Sequence, residues 1–239
     1  MPTTRPNPVI LALDLGTTED VRRIIALTRA HVAIYKLGLE LFVRFGPGIV
    51  AAVRSLDALI MLDLKLHDIP NTVKRATRNA AALGVEMLTI HASGGAAMMR
   101  AAREAVDDYR KESGSRGPKL LGVTVLTSLD QQALSTELGV GRPVQDQVVA
   151  LAVLARESGL DGVVASPREI GPVRSVCGPG FLIVTPGIRP AGTAAGDQKR
   201  TLTPHEAVAA GADYIVVGRP VLDAADPLAV LTAIHKELA

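Results

Sequence analysis

A chain of 239 residues, 48% hydrophobic and 21% charged, has ample material for a core, and its length suits either one α/β barrel or two small domains. Its formal net charge is +2 and its Lys and Arg residues are dispersed without a basic block, which argues against nucleic acid as a partner. A lone cysteine, Cys177, excludes an internal disulfide and fits a reducing cytoplasm.

No apolar run reaches the ~18 residues that suggest a membrane helix. The opening MPTTRPNP carries no apolar signal region, so a soluble, untargeted protein is expected. Aromatic residues make up 3% of the chain and Trp is absent, so the core must be aliphatic, as in a parallel sheet buried on both faces.

In chain order, strand patterns fall at 9–15, 32–38, 58–65, 85–91, 119–126, 162–165, 181–186 and 214–218. Helical patterns lie between and after them, at 18–29, 39–54, 71–83, 95–111, 145–158, 167–176, 204–210 and 227–238. Pro70, Pro167, Pro204 and Pro227 mark helix starts, and Thr203 and Asp226 are candidate N-caps. Strict alternation without a linker predicts a single (β/α)8 TIM barrel over residues 1–239. The alternative, a doubly wound open sheet, wants a glycine-rich first turn, and LDLGTTED is not that fingerprint.

The third strand ends in ALIMLDLKLHDIPNT (58–72), where an apolar run gives way to Asp63, Lys65 and Asp68. By the two-residue period, Met61, Asp63 and Lys65 share one face and Leu62, Leu64 and Leu66 the other. Leucines suit the helix layer, so Asp63 and Lys65 are expected to point into the barrel at its C-terminal mouth, where this fold builds active sites. Asp14 ends strand one and Lys36 ends strand two at the same mouth. Two lysines and two aspartates there must pair with one another or with a ligand, because buried unpaired charge is costly. Plain barrel-top salt bridges would explain one such pair; three contributing strand ends point instead to an active site.

Strand seven runs into IVTPGIRP and strand eight into YIVVGRPV. Loops after strands seven and eight form the usual phosphate site of this fold. Gly218 permits close approach of an anion, and Arg189 and Arg219 supply charge-assisted donors. The small, polar AGTAAGDQKR (191–200) suits a lid over a phosphate. A phosphorylated small molecule is the expected ligand.

DLKLHDIPNT (63–72) closely resembles the signature of the orotidine 5′-monophosphate decarboxylase family, in its compact bacterial group. The resemblance extends through LALDLG, YKLG, TIHASGG, GVTVLTS, TPGIRP, GDQKR and VVGRP, in order along the chain. It implies cofactor-free, metal-free decarboxylation of orotidine 5′-monophosphate to uridine 5′-monophosphate in pyrimidine synthesis, by a cytoplasmic homodimer. By resemblance, Lys65 protonates C6 of the pyrimidine, flanked by Asp63 and by Asp68 from a second subunit. Thr72 would reach the partner's substrate likewise. Asp14 and Lys36 would hold the ribose, and Thr127, or Ser128 in its place, the pyrimidine amide edge. Gln198 would bridge base and phosphate, with Arg189, Gly218 and Arg219 on the phosphate.

The metal-dependent sugar-phosphate decarboxylases or aldolases of the same superfamily share the D-x-K-x-x-D run. They carry an acidic ligand at the end of strand two, where this chain has Lys36. A Schiff-base aldolase needs a neutral lysine, and carboxylates beside Lys65 oppose that. A non-catalytic phosphate-binding barrel leaves the Asp–Lys array without a use. His67 is expected in a loop, His91 as a packed or orienting residue, and Met98 and Met99 as packing. The charges of 107–111 read as a solvated helix end, and Cys177, in a Gly/Pro-rich turn without a nearby His, as no nucleophile.

Overall fold

The computed structural model describes residues 7–190 and 202–238. Within them eight parallel strands close into a barrel in chain order. The strands are β1 (Val9–Ala12), β2 (Ile34–Gly38), β3 (Ile60–Leu66), β4 (Met87–His91), β5 (Lys119–Val123), β6 (Gly162–Val164), β7 (Leu182–Thr185) and β8 (Tyr214–Val217). The helices around them are α1 (Thr18–Thr28), α2 (Leu39–Phe45), α3 (Gly48–Arg54), α4 (Pro70–Ala82) and α5 (Gly95–Ser113). They continue with α6 (Val144–Glu157), α7 (Ile170–Cys177), α8 (Pro204–Ala209), α9 (Arg219–Leu222) and α10 (Pro227–Leu238). The barrel closes where Ile10 pairs with Val216. The expected (β/α)8 TIM barrel is the observed fold.

The aliphatic strands serve both faces. Ile10, Ile34, Met61, Met87, Leu121, Val184 and Val216 fill the interior. Leu11, Leu37, Leu62, Leu88, Ile183 and Ile215 face the helices. This is the alternation a closed barrel requires.

Local chemistry sets the element ends. The expected helix over 39–54 is two helices, because Gly46 takes a φ of 59° and Pro47 follows it. Thr203 and Glu206 form a reciprocal capping box on α8. Asp226 accepts hydrogen bonds from the Leu228 and Ala229 amides. The expected helix over 167–176 opens as a 3₁₀ turn, Pro167–Glu169, before α7. Cys177 is the buried last residue of α7 rather than a turn residue, and burial pushes its thiol pKa up.

The N-terminal end of the barrel is stapled twice in the same way. Asp161, just before β6, accepts the Leu120 amide at 2.8 Å and Arg103 at 3.1 Å. Asp213, just before β8, accepts the Ile183 amide at 2.8 Å and Arg174 at 2.6 Å. None of the described helices is long and apolar enough to cross a membrane.

Candidate active site

At the opposite end, β3 departs from regular pairing. Met61 and Leu62 pair with Met87 and Leu88, but the next partners are Leu66 and Ile90. Three residues of β3, 63–65, therefore lie opposite the single residue Thr89. Lys65 takes a φ of 50°, in the left-handed region that costs a non-glycine residue about 1 kcal/mol or more. Strict alternation does not carry through to Lys65; a bulge delivers it to the mouth.

The Thr89 side chain fills the gap in the ladder. Its Oγ1 accepts the Lys65 amide at 2.9 Å and donates to Asp63 Oδ1 at 2.9 Å. Lys65 Nζ donates to Asp63 Oδ2 at 2.8 Å. Lys36 Nζ stands 3.6 Å from the same oxygen and 3.6 Å from Asp14 Oδ1. The result is a chain of alternating charge, Asp14–Lys36–Asp63–Lys65, drawn from three strand ends.

Asp63 is only 8% exposed. Burial by itself would raise its pKa, but Lys36 and Lys65, with hydrogen bonds from Lys65 and Thr89, hold the carboxyl below its ordinary value. Gly38 makes room for the array: a Cβ there would lie 3.1 Å from Lys36 Nζ and 3.7 Å from Asp14 Oδ1.

These charges form one wall of a cavity of about 260 Å³. Met61, Val123, Val164 and Val216 line it with apolar surface, and Thr127 and Ser166 add hydroxyl-bearing residues. Gly187, Arg189, Gly218 and Arg219 line it from the ends of β7 and β8. The cavity thus combines a charged wall, apolar surface and an arginine-bearing rim, a layout suited to an anionic ligand with a flat, partly apolar body.

The amino-acid sequence matches the model of the "Orotidine 5'-phosphate decarboxylase / HUMPS family" over residues 7–234. The chain belongs to this family. An orotidine 5′-phosphate decarboxylase from Paramagnetospirillum magneticum is 52% identical over 234 residues, covering 97% of this chain and 98% of that one. One from Moorella thermoacetica is 48% identical over 232 residues, covering 97% and 92%. The crystal structure of orotidine 5′-phosphate decarboxylase from Lactobacillus acidophilus superposes with a TM-score of 0.85 at 40% identity, covering 97% of this chain and 99% of that one.

Of the residues the decarboxylase-family motif singles out, Asp14, Lys36, Asp63, Lys65, Thr127, Arg189, Gly218 and Arg219 converge on the cavity. Ser128 does not line it. Asp68 and Thr72 are exposed and outside it, at the start of α4, and the Ile69 amide donates to Asp68 Oδ1 at 2.6 Å. Gln198 and the segment 191–200 lie outside the described residues.

The His67 and His91 rings lie tilted by 35° with centroids 5.2 Å apart. Burial, then the neighbouring His67 and Lys65, push the His91 pKa below its ordinary value.

Sequence reasoning missed Thr89 and Ser166. Thr89 shares the interior parity of Met87 and His91, a hydroxyl where an aliphatic is expected, and that was its signal. Ser166 is 1% exposed and donates to the buried Glu169 carboxylate; the SP dipeptide ending strand six was its only cue.

Proposed function

We propose that this cavity decarboxylates orotidine 5′-monophosphate to uridine 5′-monophosphate and carbon dioxide, without metal or organic cofactor. The observation that carries the reading is the Asp14–Lys36–Asp63–Lys65 array against apolar surface, with an arginine-bearing rim across the cavity. Family membership and relatives at about half identity support it.

The chemistry asks for this wall. When the C6–carboxylate bond breaks, its electron pair stays on C6 in an sp² orbital that the ring cannot delocalise, and carbon dioxide leaves. Such a reaction sits at the demanding end of the enzymatic range, with roughly 20 kcal/mol of barrier to remove. A fixed ammonium in a water-poor site is the electrostatic means available. Lys65 stabilises the developing carbanion, transfers a proton to C6 and regains one from water. Asp63 orients the ammonium, and Lys36 keeps Asp63 ionised while reaching with Asp14 toward the ribose hydroxyls.

Thr127 meets the pyrimidine amide edge. Arg189, Gly218 and Arg219 grip the phosphate, and Gln198 bridges base and phosphate. Binding energy from the phosphate, remote from C6, is available to the reacting centre through closure of the active site.

Asp68 and Thr72 serve a second copy of the chain: Asp68 of the partner subunit completes the charges around Lys65, and Thr72 reaches the partner's substrate. Their exposure supports this, as does Ile69 between them, a large apolar residue 67% exposed. The working protein is then a homodimer, and a soluble cytoplasmic place follows from its substrate. Lys36 counts against the metal-dependent sugar-phosphate reading, because its ammonium stands where a divalent cation would need an acidic ligand.

The test is loss of orotate absorbance when the protein meets orotidine 5′-monophosphate with excess chelator present. Turnover that survives the chelator and disappears in Lys65→Ala is expected. An inactive native protein, or activity only with added Mg²⁺ on sugar phosphates, would overturn the reading.

A further inference from the structure

Thr89 is buried, does not line the cavity and yet holds both catalytic groups of β3. Its single oxygen takes the Lys65 amide and gives its proton to Asp63. A regular ladder would supply a backbone carbonyl to the Lys65 amide; at this bulge a side chain supplies the acceptor instead. The same bond orients the Asp63 carboxylate, leaving Oδ2 to Lys65 Nζ and toward Lys36.

We propose that Thr89 is a positioning residue for the decarboxylation, a pin whose hydroxyl fixes the strained Lys65 backbone and aims the Asp63 carboxylate so that the Lys65 ammonium is presented to C6. This rests on the proposed function for its kinetic part only; the pin itself is a property of the free protein.

Two polar atoms, the Lys65 amide nitrogen and Asp63 Oδ1, depend on one hydroxyl, so its removal is not equivalent to a loss of packing volume. Thr89→Val keeps the shape and removes the hydrogen bonds, leaving the Lys65 amide and Asp63 Oδ1 unpaired. Thr89→Ser keeps the hydroxyl and loses a methyl group. The groups facing Asp63 are Lys36 of β2, Lys65 of β3 and Thr89 of β4, with Asp14 beyond Lys36 and His91 at the end of β4. Only the Thr89 bond changes in the variant, and its loss disfavours the ionised carboxylate.

The experiment compares native protein, Thr89→Val, Thr89→Ala and Thr89→Ser by kinetics across pH. Val and Ala should lower kcat roughly 10- to 100-fold, the size of one lost hydrogen bond to a charged group, with KM much less affected. Their acid limb of kcat/KM should move to higher pH, while Ser keeps both near native. Native kcat and an unmoved acid limb in folded Val or Ala would overturn the inference, as would Ser behaving like Val.

Two readouts need no turnover. The Asp63 carboxyl, followed by carbon-13 resonance, should titrate higher in Val than in native protein. In the native protein the Lys65 amide should exchange slowly with deuterium, and fast exchange there would sink the pin even if every variant misfolds. An inactive native protein with these signatures intact would fail the decarboxylase reading and leave the pin standing.

Discussion

Lys36 and Asp63 stand on neighbouring strands with Nζ and Oδ2 3.6 Å apart, and Lys36 is bound equally closely to Asp14. One ammonium therefore divides between the carboxylate that orients Lys65 and the carboxylate assigned to the ribose. Replacing it by alanine leaves Asp63 buried with Lys65 as its only cation among the pairs described. Loss of one partner from a buried charge pair costs on the order of 3–5 kcal/mol. Lys36→Ala should accordingly lower the unfolding free energy by that order, measured by urea denaturation, and lower kcat/KM as well, because Asp63 loses a cation that keeps it ionised beside Lys65.

Gly38 gives a finer test of the same wall. A Cβ there would stand 3.1 Å from Lys36 Nζ, at ordinary backbone angles, so Gly38→Ala should displace the ammonium without straining the chain. The expected outcome is a melting temperature close to native and kcat/KM lower by about tenfold, since small misplacements at reacting groups are expensive. Equal loss of stability and activity would contradict it.

Acid stability should report Asp63. Its carboxyl pKa is lower in the folded chain than in the unfolded one, so the unfolded state binds the extra proton first as pH falls. The stabilisation is complete above about pH 4, the unfolded value, and is lost as pH falls through the lower folded value. Urea unfolding of Asp63→Asn from pH 6 to pH 3 should therefore show a shallower acid decline than the native protein. An identical slope would contradict the depressed pKa.

His91 is shifted downward as well, for a different reason. Its folded pKa lies below the ordinary histidine value, chiefly through burial and then through His67 and Lys65. Proton resonance should place its midpoint below about 6.5, and His67→Ala should move it upward by removing a like charge and uncovering the ring. No movement would mean that His67 does not act on it.

At the far end of the barrel, Arg174 donates to the carbonyls of Gly178, Phe181 and Gly211 and to Asp213. Arg174→Met should lower unfolding free energy by roughly 2–4 kcal/mol, because carbonyls and a carboxylate lose charge-assisted donors. Activity per folded molecule should stay native, because the staple is remote from the mouth.

How much of this was legible in the sequence varies residue by residue. The two-residue period of IMLDLKL placed Met61 and Asp63 inward correctly, because burial on both faces leaves a strand no other register. The period says nothing about a bulge, and the left-handed Lys65 could not be read from a residue type that rarely adopts it. Thr89 stayed hidden for a related reason: a threonine in a strand reads as a β-branched former, and its value as an acceptor exists only once the neighbouring strand has slipped. Gly46-Pro47, in contrast, is a helix breaker readable in the sequence, and the single helix expected over 39–54 runs through it. Asp68 and Thr72 could be assigned only by resemblance, since nothing in one chain gives an exposed residue a partner.

Subunit sharing has a direct test. Lys65→Ala and Asp68→Asn proteins should each be nearly inactive. When mixed under conditions that exchange subunits, they should regain activity, because a heterodimer holds one site with both native residues. No recovery from demonstrably mixed dimers would contradict the trans assignment of Asp68.

If Lys65 handles the proton at C6, hydrogen exchange at that carbon reports it without relying on loss of carbon dioxide. Uridine 5′-monophosphate incubated with the protein in heavy water should slowly lose its C6 proton resonance, and Lys65→Ala should abolish the exchange while still binding the nucleotide. Exchange that persists at the native rate in Lys65→Ala would place the proton donor elsewhere.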